Sequence, residues 1–177
     1  GGSLRGRVVA SKDGLPISDA RVSLRTPELE PGRLAPLDYL LEAVKTDTKG
    51  DFVWDDLAPG EYELTVRHPS YGPQEHTVRI EQGKTVEIEV SLPLAARIYG
   101  RVLDAHGKPR RHAVVETMGQ GHAVTDEQGR YELTELAPGL LNLFCMESAE
   151  DFADIGKSER QSVCLEPGQS LEVNFPP

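Results

Sequence analysis

Disulfides cannot be the framework of this chain. It has two cysteines in 177 residues, Cys145 and Cys164, too few for the staples that small secreted domains use to offset a thin core. Aromatic residues are scarce at 6%, with one tryptophan, Trp54, which leaves little material for a platform that stacks on sugar rings. No run of about 18 apolar residues occurs, so no helix is long and apolar enough to cross a membrane. Basic residues are outnumbered, 19 Lys+Arg against 29 Asp+Glu, for a formal net charge of −10. The deficit is shared: 11 against 16 in residues 1–94 and 8 against 13 in 95–177. Nucleic acids and anionic membranes are therefore not expected partners, because binding them depends on clustered Lys/Arg. Phosphate loop, nucleophile elbow and zinc-protease signatures are also missing.

What the chain does have is a repeat. Leu57-Ala58-Pro59-Gly60-Glu61-Tyr62-Glu63-Leu64 returns as Leu136-Ala137-Pro138-Gly139-Leu140-Leu141-Asn142-Leu143. Upstream of each, Thr46-Asp47-Thr48-Lys49-Gly50-Asp51-Phe52 returns as Thr125-Asp126-Glu127-Gln128-Gly129-Arg130-Tyr131. The opening strands match too: Leu4, Gly6 and Val8 alternate with Arg5 and Arg7 as Ile98, Gly100 and Val102 do with Tyr99 and Arg101. That period of two marks strands with one face inward, and a glycine in the inward series suggests close approach by another backbone.

The punctuation between strands is turn chemistry. Asp47 and Asp126 are placed to cap their own turns with a side-chain oxygen, and Gly50 and Gly129 to supply the left-handed residue of a bulged loop. Inward stripes follow at Tyr62, Leu64 and Val66, and at Leu141, Leu143 and Cys145, with closing strands at Val86–Val90 and Leu171–Phe175. About seven short strands per copy, spaced by Gly/Pro turns, predict an all-β protein of two tandem seven-stranded β-sandwiches over residues 1–93 and 94–177. The opening Gly1-Gly2-Ser3 reads as a linker, which implies that the chain is a piece of something longer.

The motifs Gly14-Leu15-Pro16 with Ala20-x-Val22, Thr46-Asp47-x-x-Gly50-x-Phe52 and Leu57-x-Pro59-Gly60-x-Tyr62, repeated at Gly107-Lys108-Pro109 with Ala113-x-Val115, Thr125–Tyr131 and Leu136–Leu141, resemble the carboxypeptidase regulatory-like domains. These belong with the transthyretin-like and collagen-adhesin B-type sandwiches. The resemblance spans nearly the whole chain and implies a Greek-key, prealbumin-like sandwich in each copy. It implies no enzyme and no cofactor. The function it implies is a structural or protein-interaction module of a larger secreted or cell-envelope protein, extracellular or periplasmic. The partners are then other domains of the parent or an envelope protein. The alternative is a carbohydrate-binding accessory module, with a glycan as ligand.

Individual residues carry less. Some relatives of this kind form an isopeptide crosslink, which needs an inward Lys on the first strand; neither copy has one, and Asn174 lies in the outward phase of the last strand. Cys145 continues an inward stripe while Cys164 lies in the opposite phase, which argues against a bridge between them. His68, His76, His106, His112 and His122 form no recognised metal signature. Paired carboxylates such as Asp55-Asp56 lack a calcium-loop frame. The candidate ligand or partner contacts are Tyr39, Tyr71 at an exposed hairpin tip, and Phe152. Trp54 has the phase of Phe52 and reads as core. Tyr39 and Phe152 sit in the two places where the copies differ most in length, the stretch 25–43 and the acidic stretch 147–157.

Overall fold

A computed structural model describes residues 1–26, 43–147 and 158–176. The described residues contain strands and no helix, in two compact units, Gly1–Leu94 and Ala95–Pro177. Tyr39 and Phe152 lie outside the described residues.

The first unit contains β1 (Gly2–Ala10), β2 (Arg21–Arg25), β3 (Val44–Lys45), β4 (Asp51–Leu57), β5 (Gly60–His68), β6 (Tyr71–Ile80) and β7 (Thr85–Leu92). One sheet has the order β4-β1-β7, the other β3-β2-β5-β6. β1 runs antiparallel to β4 and parallel to β7. Period-two alternation turns Leu4 and Val8 of β1, Phe52 of β4 and Val90 of β7 onto one side. There they meet Val22, Leu24, Leu64, Val66, Val78 and Ile80 of the second sheet in a single core.

The second unit repeats this layout with β8 (Ala96–Arg101), β9 (Val114–Glu116), β10 (His122–Val124), β11 (Arg130–Leu136), β12 (Gly139–Met146), β13 (Glu159–Leu165) and β14 (Ser170–Glu172). Its sheets have the orders β11-β8-β14 and β10-β9-β12-β13, and its core holds Ile98, Val102, Val115, Tyr131, Leu133, Leu143, Cys145 and Phe175 among others.

The repeated motifs make identical contacts. The Asp47 carboxylate accepts from the Lys49 and Asp51 amides at 2.8 and 2.9 Å, and that of Asp126 from Gln128 and Arg130 at 2.9 and 2.8 Å. Gly50 and Gly129 have φ of 77° and 70°, the left-handed region these turns require. The threonine before each aspartate does something the local pattern does not reveal. The Thr46 hydroxyl accepts from the Ala20 amide at 2.9 Å and donates to the Ile17 carbonyl at 2.7 Å; Thr125 does the same with Ala113 and Arg110, at 2.9 and 2.7 Å. Both threonines are buried. Each ties the turn at one end of a sheet to the segment leading into β2 or β9.

Close approach at the inward glycines differs between the copies. A Cβ on Gly100 would lie 1.7 Å from the Val173 carbonyl oxygen, so there a backbone does approach. On Gly6 it would meet the Phe52 ring at 2.1 Å; a side chain, opposite in register, fills the space instead. Around Gly100 the parallel ladder is rerouted. The Arg101 amide donates to the Asn174 side-chain oxygen at 2.8 Å, and the Val173 carbonyl accepts from the Tyr131 hydroxyl at 2.7 Å. Asn174 therefore substitutes for a backbone acceptor, which accounts for the early end of β14.

Gly1-Gly2-Ser3 is not a linker. Gly2 is buried and begins β1, the Gly83 amide donates to the Gly1 carbonyl at 3.1 Å, and the Ser3 amide donates to the Lys84 carbonyl at 2.9 Å.

Candidate interaction face

The inward positions of the two four-stranded sheets are alike, whereas the outward positions are not. In the first unit Arg21 of β2 stands opposite Lys45 of β3 and Arg67 of β5. In the second unit the same row is Val114 of β9, opposite Val124 of β10 and Met146 of β12. At the other end Glu61 opposite Arg79 becomes Leu140 opposite Cys164. Between them, Thr65 flanked by Ser23 and Glu75 becomes Phe144 flanked by Glu116 and Arg160. Six positions that are charged or polar in one copy are thus apolar or thiol in the other.

Val114 and Met146 are only 4% and 3% exposed, yet neither belongs to the core cluster of the unit. Leu140 and Val124 are 77% and 54% exposed. Single exposed apolar residues need no explanation, whereas six such conversions on one face do. Polar groups on the same face are organised: the Ser162 hydroxyl donates to the Asn142 side-chain oxygen at 2.6 Å, Arg160 donates to that oxygen at 2.9 Å, and its guanidinium lies 5.7 Å from the Phe144 ring centre. Glu116 is buried, with His122 at 3.9 Å.

The three-stranded sheets present a different surface. A shallow groove of about 530 Å³ on the first unit is lined by Arg5, Arg7, Asp51, Val53, Glu87 and Glu89 among others. Arg7 pairs with Asp51 at 2.7 Å and holds its carboxyl below the usual carboxylate range. On the second unit Arg97 lies 5.3 Å from the Tyr99 ring centre and 2.8 Å from Glu132. These are solvated ion pairs.

Of the residues singled out from sequence, Tyr71 is not an exposed tip. Its ring is half-buried, packs on the first core and meets His68 edge-on at 5.3 Å. The chain end of the unit covers it: Tyr71 bridges Leu94, and the Gly72 amide donates to the Pro93 carbonyl at 2.8 Å. Trp54 is half-buried against the core and edge-on to Phe52 at 5.8 Å. Cys145 is buried and Cys164 exposed, both free. Burial pushes the Cys145 thiol up to about 11. Among the described residues no group of three His, Cys, Asp or Glu is placed to hold a metal. The outward apolar residues are visible in a parity-by-parity comparison of the two copies, but their grouping into rows needs the strand register.

A family model for the carboxypeptidase regulatory-like domain matches residues 3–93. The mouse BOS complex subunit NOMO1 is 26% identical over 106 residues, 54% of this chain and 9% of that protein; the chain therefore spans under a tenth of the relative it matches. Among solved structures, the minor pilin GBS52 of Streptococcus agalactiae is similar over 99% of this chain and 94% of its own, with 16% identity and a TM-score of 0.46. A chlorocatechol 1,2-dioxygenase from Pseudomonas putida is similar over 51% of this chain and 59% of its own, with 13% identity and a TM-score of 0.40.

Proposed function

We propose that this chain, which belongs to the carboxypeptidase regulatory-like domain family, is a non-catalytic protein-interaction module of a larger secreted or cell-envelope protein. It is built as two tandem seven-stranded Greek-key sandwiches divided near residues 93 and 94. The first copy acts as a charged spacer and the second presents the contact face. The observation that carries this reading is the conversion of Lys45, Glu61, Thr65 and Arg79 into Val124, Leu140, Phe144 and Cys164 at matching ladder positions, beside Val114 and Met146, which are already buried within the chain. Burying a side chain the size of Leu140 in an interface contributes about 1.5–3 kcal/mol, so a few such residues around a buried centre suffice for specific protein contact.

The test exchanges the exposed Val124 and Leu140 and the half-buried Phe144 for the residues of the first copy, Val124→Lys, Leu140→Glu and Phe144→Thr, in the full-length parent. Its stable protein partners are then quantified after affinity purification. The reading expects loss of at least one partner with unchanged thermal stability. An unchanged set of partners in the triple variant, alongside unchanged partners in a reciprocal variant of the first copy, contradicts it.

A further inference from the structure

We propose that the outer edge of β13, which pairs with no other described strand, pairs with β13 of a second copy of this chain, antiparallel about a two-fold axis at Ser162, joining two four-stranded sheets into one of eight. This goes beyond the interaction reading above, since it uses the edge of the sheet and not its face.

Among the described residues β13 has a ladder partner on one side only, β12. An unpaired edge is a template for another strand unless charge, Pro, a bulge or a covering segment blunts it. The equivalent edge in the first copy carries those devices: β6 contains Pro73, its register shifts between Val66 and His68, and Pro93 and Leu94 bond to its first residues. β13, Glu159–Leu165, contains no Pro, carries charge only at its first two residues, Glu159 and Arg160, and keeps unbroken register with β12 from Gly139↔Leu165 to Cys145↔Glu159. It borders the apolar end of the face, where Leu140 stands opposite Cys164.

Ser162 is the midpoint of the strand, so a two-fold there pairs its whole length. Directly opposite residues then share a face: Ser162 meets Ser162, and Arg160 meets Cys164. No like charges oppose each other, which centring on Arg160 would force. Each Arg160 stays on Asn142 and the Phe144 ring of its own copy, which leaves Cys164, with Leu140 beside it, open at the joint. Each copy carries −10, so the pair forms against net repulsion and tightens as salt rises.

The experiment uses the whole chain. Sedimentation equilibrium from micromolar to millimolar concentration is expected to show monomer and dimer, with more dimer at higher salt. Ser162→Lys puts two ammonium groups face to face and is expected to weaken the dimer roughly fivefold or more without lowering the melting temperature. Ser162→Cys in a Cys164→Ser background brings two thiols to about 4.5–5.5 Å between Cα atoms, within disulfide reach, so mild oxidation is expected to crosslink it. Thr77→Cys, the matching position on β6, is expected to stay uncrosslinked. A monomer at every concentration, or a dimer in which Ser162→Cys does not crosslink, overturns the proposal. If the chain is monomeric but the exchanged-face variant still loses a partner, the interaction reading stands and only this pairing falls. If the dimer crosslinks while every partner is retained, the reverse holds.

Discussion

Replacing Thr46 by Val tests whether the repeated Thr-Asp motif holds each unit together through its hydroxyl. Valine keeps the shape and removes the oxygen. The Ala20 amide at 2.9 Å and the Ile17 carbonyl at 2.7 Å both lose their partner at a buried site. Each unsatisfied buried group costs about 1–3 kcal/mol. The added methyl returns about 0.8 kcal/mol, leaving a net loss of about 1–5 kcal/mol. In a unit of this size 1 kcal/mol corresponds to about 4–8 °C in Tm, so the melting point of the first unit should fall by about 5 °C at the least and by about 10–20 °C in the middle of that range. Thr46→Ser is the control: it keeps the hydroxyl, drops one methyl, and should cost about 1 kcal/mol. Trp54 is the single tryptophan and packs on the first core, so its fluorescence during urea unfolding reads the affected unit. Thr125→Val should cost the second unit a similar amount, read by calorimetry. The reasoning is refuted if Thr46→Val costs no more than Thr46→Ser.

Three other outcomes follow from the same structure. Tyr131→Phe should destabilise by about 1–2 kcal/mol, since its hydroxyl donates to a buried carbonyl at 2.7 Å. Tyr62→Phe, whose hydroxyl donates to the Ala58 carbonyl at a half-buried site, should cost less, and reversal of that order in urea titrations counts against the assignment. With a thiol reagent at neutral pH, Cys164 should react quickly. Cys145, buried and pushed up to about 11, should react only after unfolding, so two fast thiols in the native protein contradict its burial. The carboxyls of Asp104 and Asp126 are held below their usual range chiefly by backbone amides of Lys108 and Arg130. Their folded pKa is depressed, so the stability they contribute is present above about pH 4 and is lost as pH falls through the folded value. Asp126→Asn should flatten the acid limb of the stability curve below about pH 4; an unchanged limb refutes this.

The parts of the fold legible in the sequence are those whose causes are local. Asp47 caps a turn made of its own neighbours, and Gly50 is needed by the backbone of that same turn, so both can be read from seven residues. The stripe of Leu64 and Val66 needs only alternation. What could not be read depends on distant partners. The Thr46 hydroxyl serves Ala20 and Ile17, 26 and 29 residues away, and the Tyr131 hydroxyl serves Val173, 42 residues away. Tyr71 reads as an exposed tip because its cover, Pro93 and Leu94, comes from the far end of the unit. The candidate face lies between these cases. Its parity is written in the sequence, but recognising Val114, Val124 and Met146 as one row requires the strand order and register.

The central claim, that the second copy touches a protein partner through the outward side of its four-stranded sheet, is tested most directly by site-specific photocrosslinking in the intact parent protein. A photoreactive side chain at Leu140 should capture a protein, either the same chain or another. The same group at Glu61, the matching position in the first copy, should capture none. Equal labelling from both positions, or none from Leu140, would contradict the account.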